Sequence, residues 1–219
     1  MRIRCIIVAA SALLANASTA LAQSGNKNHW SMQIGPARID FHESAALAVA
    51  GAPVPGAGAK LQNNTTLAAE ISHHFTPAWS AGLTVGVPAR TRVIGTGAAE
   101  AFGEMGAGRY GPMALTVRYA FNDFGRWHPY IGTGITYFVM LKEYDSFIKD
   151  LKIDNAFGGV IQFGIHYNID SHLGLFIDAK KLFVKTSATG NLPALAGAPL
   201  NTNVKLNPAV LHAGILFRF

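Results

Sequence analysis

The sequence predicts an all-β chain: an eight-stranded antiparallel up-and-down transmembrane β-barrel with short periplasmic turns and long extracellular loops. Three observations predict it. Apolar residues recur at every second position in one segment after another, the connections alternate between short and long, and 50% hydrophobic residues are combined with only 14% charged ones over 219 positions. A soluble domain usually carries about 25% charge, and a disordered chain needs low hydrophobicity. The body of the chain lacks the roughly 20 consecutive apolar residues of a membrane-crossing helix. An apolar surface facing lipid must then be built from strands, whose backbone groups are all satisfied only when the sheet closes on itself.

The first element is a targeting signal. Arg2 and Arg4 precede a short apolar core at residues 6–14, interrupted by Ser11, and Ala20-Leu21-Ala22 is an A-x-A cleavage site. This is the pattern of a secretory signal peptide over residues 1–22, leaving residues 23–219 as a single barrel domain. The only cysteine, Cys5, lies in the signal, so the mature chain has neither a disulfide nor a thiol ligand or nucleophile. Loss of the two arginines lowers the net charge from +6 to +4.

The strands follow in order. Residues 30–41 form the first, with Pro36 marking an edge irregularity or bulge. Residues 65–75 carry Glu70 on their polar face, and residues 79–88 end on Pro88. In residues 113–122, Leu115, Val117, Tyr119 and Phe121 oppose Ala114, Thr116, Arg118 and Ala120. Ile131, Thr133, Ile135, Tyr137, Val139 and Leu141 oppose Tyr130, Gly132, Gly134, Thr136, Phe138 and Met140. Residues 156–168 set Ile161, Phe163, Ile165 and Tyr167 against Val160, Gln162, Gly164 and His166. Residues 172–186 set Leu173, Leu175, Ile177 and Ala179 against Gly174, Phe176, Asp178 and Lys180. The last strand, 209–219, is apolar at Ala209, Leu211, Ala213, Ile215, Phe217 and Phe219 and mixed on its other face. Period-2 contrast of this kind marks strands with one uniformly apolar face.

Connections at 76–78, 123–127 and 169–171 are short, whereas 42–64, 91–112, 143–155 and 187–206 are long and rich in Gly, Ala, Pro and Asn. With both termini at the short-turn end, this is the meander of a transmembrane barrel. A soluble lipocalin-like barrel or sandwich would turn its apolar faces inward. Against that stand the continuity of the apolar face, the terminal Phe219, and an interfacial belt expected from Trp79, Tyr119, Phe121, Tyr130, Tyr167 and Phe219 near the short turns. After removal of the signal, 197 residues support eight strands of about ten residues, but not the sixteen of a general porin.

From Val85 onward the chain resembles the OmpW family of small outer-membrane proteins, which includes transporters of alkanes. The resemblance rests on V-G-V-P-A-R-T-R-V-I-G at 85–95 and on G-P-M-A-L-T-V-R-Y-A-F-N at 111–122, where the family has P-P-T-L-x-x-x-Y-x-F. H-P-Y-I-G-T-G-I-T-Y at 128–137 is similar to the family's R-P-Y-V-G-A-G-x-N-Y. D-N-A-F-G at 154–158, Q-F-G-I-H-Y at 162–167 and the ending at 214–219 correspond to D-x-S-x-G, Q-x-G-x-D-Y and G-x-x-Y-x-F. His166 stands where the family has Asp, Phe217 where it has Tyr, and the first strand matches poorly. The resemblance implies an eight-stranded barrel with a hydrophobic pocket toward the extracellular loops and a closed periplasmic end, from which small apolar molecules pass sideways into the membrane.

Alternation sorts the inward residues by depth. Toward the long loops they are Pro88, Phe138, Met140, Val160, Leu182, Val184 and Val210, an apolar set expected to line a ligand pocket. Toward the short turns they are Glu70, Arg118, Gln162, His166, Asp178, Lys180, His212 and Arg218, expected to form a polar luminal plug. An eight-stranded barrel is filled by its own side chains, and such charges persist inside only when paired.

No catalytic chemistry is expected. Ser72 or Ser80 with His74 and Glu70 are the candidates for a lipid-modifying enzyme, but no motif enforces triad geometry. His73 and His74, adjacent in a strand, point to opposite faces and cannot share a metal. His29 and His42 fall near loop ends, and His128 and His172 open strands at the short-turn side. The Gly-rich run at 103–111 lacks a phosphate-loop lysine and reads as a flexible extracellular loop. The expected partners are outer-membrane lipid and lipopolysaccharide, the barrel-assembly machinery through Phe219, and small hydrophobic ligands. Neither a cofactor nor nucleic acid is expected. The alternative function is a structural or adhesive surface barrel of the OmpX kind, with no transport.

Overall fold

The computed structural model describes residues 29–41, 44–49, 52–193 and 196–219. The expected signal peptide at 1–22 lies outside them. The described strands are β1 (Trp30–Asp40), β2 (Ser44–Val49), β3 (Ala52–Leu61), β4 (Asn64–His74), β5 (Trp79–Gly86), β6 (Ala89–Gly97), β7 (Glu104–Ala120), β8 (Trp127–Asp145), β9 (Lys149–Ile153), β10 (Ala156–Asn168), β11 (Leu173–Leu192), β12 (Ala198–Lys205) and β13 (Ala209–Arg218).

Eight of these close the membrane barrel in the order β1-β4-β5-β7-β8-β10-β11-β13, all antiparallel, with β13 pairing back onto β1. The ends meet in register: the N–H of Trp30 donates to the Phe219 carbonyl at 3.0 Å and the N–H of Phe219 to the Trp30 carbonyl at 2.9 Å. At the short-turn end, Asp170 closes the β10–β11 hairpin by accepting the N–H groups of His172 (2.7 Å) and Leu173 (2.8 Å). Those two donors hold its carboxyl below the usual carboxylate range.

The eight strands expected from alternation match the eight of this ring. The long loops do not remain loops. β7, β8 and β11 run on past the membrane ring, and β2, β3, β6, β9 and β12 join them in a second tier, ordered β7-β6-β3-β2-β12-β11-β9. The stretch at 103–111, read as a flexible loop, forms most of the upper part of β7, paired on one side with β6 and on the other with β8. The physical reason is the solvent on the outer face. In the lower ring an outward residue meets lipid and must be apolar, so alternation shows. In the upper tier it meets water: in β12, Leu200 and Thr202 are buried while Asn201 and Asn203 are exposed, so the apolar residues are confined to the inner face, where Met105, Ile148, Leu151, Leu192 and Leu200 pack together.

The lower wall is apolar outside. Leu67, Ile71, Leu83, Leu115, Val117, Ile135, Phe163, Leu175, Ile177, Leu211 and Ile215 are all exposed. Near the short turns, Trp30, Trp79, Tyr119, Phe121, Trp127 and Phe219 form an exposed aromatic girdle, with Trp79 edge-on to Tyr119 at 5.1 Å and Trp127 against Tyr167 at 4.7 Å. Tyr130, expected in this belt, is not there. It is only 3% exposed and faces the lumen, because it shares a face with the inward Gly132, Gly134 and Thr136 rather than with Ile131.

Closure between the first and last strands depends on two facing glycines. A Cβ on Gly214 would lie 2.1 Å from the Ile34 carbonyl oxygen, and one on Gly35 would lie 2.0 Å from that of Ala213. Both obstacles are backbone, which cannot swing aside. Gly214→Val is expected to lower barrel stability by about 1–3 kcal/mol, the range for overpacking, measured as the urea midpoint of the refolded protein. An unchanged midpoint would show that the seam tolerates a side chain.

Candidate functional site

The lumen changes character within a single rung. On β7 the inward sequence passes from Arg118 and Thr116 to Ala114; on β10 from Gln162 to Val160; on β11 from Lys180 to Leu182; on β13 from His212 to Val210; on β8 from Thr136 to Phe138. Below that level lies a charged floor, and above it an apolar cluster.

The floor is a closed network. Glu70, on β4 and fully buried, receives Arg118 Nη1 at 2.5 Å, Lys180 Nζ at 3.0 Å and the Thr84 hydroxyl at 2.6 Å. Asp178, also fully buried, receives Lys180 Nζ at 2.5 Å, the Tyr130 hydroxyl at 2.6 Å and Gln162 Nε2 at 2.7 Å. Arg118 donates its second amino group to Ser72 Oγ at 2.5 Å and lies over the Tyr130 ring, 5.1 Å from its centre. Two carboxylates thus face two cations, and the site is electrically neutral. His166 bonds Gln33 and packs on Tyr130. His212 bonds the Ala68 carbonyl at 3.2 Å and meets Phe176 edge-on. Opposed charges with donors on every carboxylate oxygen satisfy the requirement for burying ions.

Of the eight residues expected in the plug, Glu70, Arg118, Gln162, Asp178 and Lys180 make this network, and His166 and His212 are buried beside it. Arg218 is in neither group. Its guanidinium donates to Asn168 Oδ1 at 2.5 Å and lines a cavity of about 460 Å³ that opens at the short-turn end, with His29, His74, His128, His166 and Asn122. As the last residue of β13 it lies at the rim, with Gly214 and Leu216 between it and His212, the residue paired opposite Asp178. Sequence reasoning missed this vestibule and the supporting roles of Gln33, Ser72, Thr84 and Tyr130. The signal was present, since Ser72 and Glu70 alternate on one face.

Above the floor, Phe138, Val160, Leu182 and Val184 are buried together, with Met140 and Val210 packed against them. The cluster also contains Ile39, Phe41, Leu61, Tyr110, Ala114, Ala156 and Leu206, most of them close to loops where alternation gives no guide. Tyr110 stacks on Phe138 at 5.0 Å and anchors its hydroxyl on Asn64 Oδ1 at 3.1 Å. Pro88 is not in this cluster. It is exposed, between β5 and β6, and its Cγ lies 3.9 Å from the Cβ position of Gly111, beside Leu141 on the outer wall. The strand ends at Gly86, so the alternation that placed Pro88 inward stops two residues short of it.

Beside the apolar cluster the wall is interrupted. Pairing of β5 with β7 ends at Val85 opposite Met113, and pairing of β6 with β7 begins at Ala89 opposite Tyr110. The three residues 86–88 face the two residues 111–112 with no rung between them. Pro88 and Pro112 have no N–H to complete one.

The candidate enzyme residues are otherwise engaged: Ser72 contacts Arg118 and Glu70, and His74 Nε2 bonds Ser31 Oγ at 2.9 Å. Among the described residues no group of three His, Cys, Asp or Glu side chains is placed to hold a metal ion.

A closed antiparallel barrel with an apolar outer wall, an aromatic girdle and a lumen filled by its own side chains defines a small outer-membrane β-barrel protein. The chain belongs to the OmpW family, whose pattern it matches over residues 26–219. It is 26% identical over 195 residues to outer membrane protein AlkL of Ectopseudomonas oleovorans, covering 89% of this chain and 84% of AlkL. It is 29% identical over 163 residues to the dibenzothiophene metabolism operon protein PahQ of Pseudomonas aeruginosa, covering 74% and 77%. The solid-state NMR structure of AlkL in lipid bilayers superposes with a TM-score of 0.71 at 26% identity, covering 90% of this chain and 94% of AlkL. The crystal structure of OprG from Pseudomonas aeruginosa superposes with a TM-score of 0.81 at 21% identity, covering 87% and 95%, and shares the fold. The protein resides in the outer membrane, with short turns on the periplasmic side and the second tier outside the cell.

Proposed function

We propose that the barrel takes up small hydrophobic molecules passively, receiving them in the apolar upper lumen and releasing them sideways into the outer membrane. The observation that carries this reading is the interruption of the wall between residues 86–88 and 111–112, at the level of Phe138 and Tyr110 and directly above the charged floor. A straight path to the periplasm would require an apolar solute to displace the Glu70, Arg118, Lys180 and Asp178 network. Leaving those ions unpaired costs several kcal/mol, whereas an apolar path into lipid keeps the solute's roughly 25 cal/mol per Å² of burial throughout. The homology to AlkL and to an operon protein of dibenzothiophene metabolism supports a hydrophobic cargo.

Uptake of an n-alkane or naphthalene into protein-bearing liposomes tests the proposal, and rates equal to those of protein-free vesicles would refute it. The exit is tested separately with Gly111→Trp. A Cβ there makes only ordinary contacts, 3.8 Å from Leu141 and 3.9 Å from Pro88, so the barrel is expected to fold, while the indole covers the gap. Uptake should fall toward the protein-free rate; an unaltered rate would move the exit elsewhere.

A further inference from the structure

The outer wall carries an unbalanced row of positive charge. Strand pairing sets Arg90 of β6 directly opposite Arg109 of β7, and Arg109 directly opposite Lys142 of β8. All three side chains are exposed, while Thr91, next to Arg90, is buried. The Arg90 guanidinium lies 4.5 Å and the Lys142 ammonium 5.1 Å from the centre of the same ring, that of Tyr144. Like charges directly opposite one another destabilise a sheet, and here three stand in line.

Among the described residues no carboxylate forms an ion pair with them. The ion pairs among the described residues use Arg38, Arg92, Arg118 and Lys180. Nearby acids are committed elsewhere: Glu104 pairs with Arg92 at 3.5 Å, and Asp145 accepts the N–H groups of Asp150 and Leu151 at 3.1 Å. Height fixes the chemistry of an anion that would balance the three cations. One rung below the row lie Pro88, Gly111 and Leu141, and below them the exposed Val85, Met113 and Ile135. The row therefore stands where the lipid-facing band ends, at the headgroups of the outer leaflet. On the far wall another like-charge pair, Lys185 opposite Lys205, follows the exposed Phe183 in the same way.

We propose that Arg90, Arg109 and Lys142 form a binding site for a phosphate of the outer-leaflet glycolipid, the phosphorylated lipid A portion of lipopolysaccharide. Two guanidinium forks and an ammonium match a multiply charged phosphate in number and geometry, and the Tyr144 face holds two of the three cations in place. The site does not depend on what passes through the lumen.

The test uses the full barrel refolded in uncharged detergent, with diphosphoryl lipid A, dephosphorylated lipid A or inorganic phosphate added. Native mass spectrometry should show diphosphoryl lipid A retained by the native protein, and its affinity reduced about tenfold or more in Arg90→Gln/Arg109→Gln/Lys142→Gln, the equivalent of one or two charge-assisted bonds. The single variant Arg109→Gln should melt higher than the native protein in uncharged detergent, where it relieves repulsion, and lower once diphosphoryl lipid A is present. A shift in the same direction under both conditions, equal retention by the triple variant, or equal binding of inorganic phosphate or dephosphorylated lipid A would overturn the assignment.

Discussion

Glu70→Gln should destabilise the barrel by about 3–5 kcal/mol, the cost of removing one partner from a buried ion network. Glu70 is fully buried and accepts from Arg118, Lys180 and Thr84 at once. The amide keeps the shape but removes the charge, so two buried cations then share only Asp178. Equilibrium unfolding in urea, followed by the heat-dependent shift in gel mobility, measures the effect. A loss below about 1 kcal/mol would mean that Arg118 is screened by water from the periplasmic vestibule, and the floor would no longer count as dry. Glu70→Asp retains the charge at a shorter reach and should fall between the two.

The second large effect concerns uptake. Phe138 is 5% exposed, stacks on Tyr110 and sits beside the wall interruption. Phe138→Asp places an unpaired carboxylate in the apolar lumen, where a polar group without a partner costs at least about 2 kcal/mol. A hydrophobic solute meets that group and its water, and uptake should fall roughly 30-fold for the same 2 kcal/mol. The outer wall and floor are untouched, so insertion and heat-modifiable mobility should persist. Phe138→Leu, which keeps the path apolar, should transport nearly normally. Unchanged uptake by Phe138→Asp would remove Phe138 from the solute's route and weaken the proposed function, whereas loss of uptake in both variants would point to packing alone.

Much of this barrel was legible in the alternating segments. Leu115, Val117, Ile161, Phe163, Leu175 and Ile177 were placed outward, and Arg118, Gln162, Asp178 and Lys180 inward, because a pleated strand has two faces and one of them must satisfy lipid. The errors fall where that rule lapses. Pro88 was carried inward by extrapolating a strand past Gly86. Tyr130 was assigned to the girdle by residue type, although its position in the pleat turns it toward Asp178. The outer tier reads as loops in the sequence because water on its outer face demands no apolar residues, although its inner face packs Met105, Ile148, Leu151, Leu192 and Leu200 together.

The sequence by itself determined the class of the protein: a barrel of eight strands, lipid-facing outside, with charge held low in the lumen and apolar residues above. Period and composition suffice for this, since each strand's two faces are dictated locally by the solvents they meet. Only the tertiary structure decided which inward groups touch. That Glu70 reaches both Arg118 and Lys180, that Arg218 stands apart at the rim, that the ladder breaks beside Phe138, and that Arg90, Arg109 and Lys142 fall in one row all depend on register between strands distant in sequence. Register is a property of pairing, and no single strand contains it.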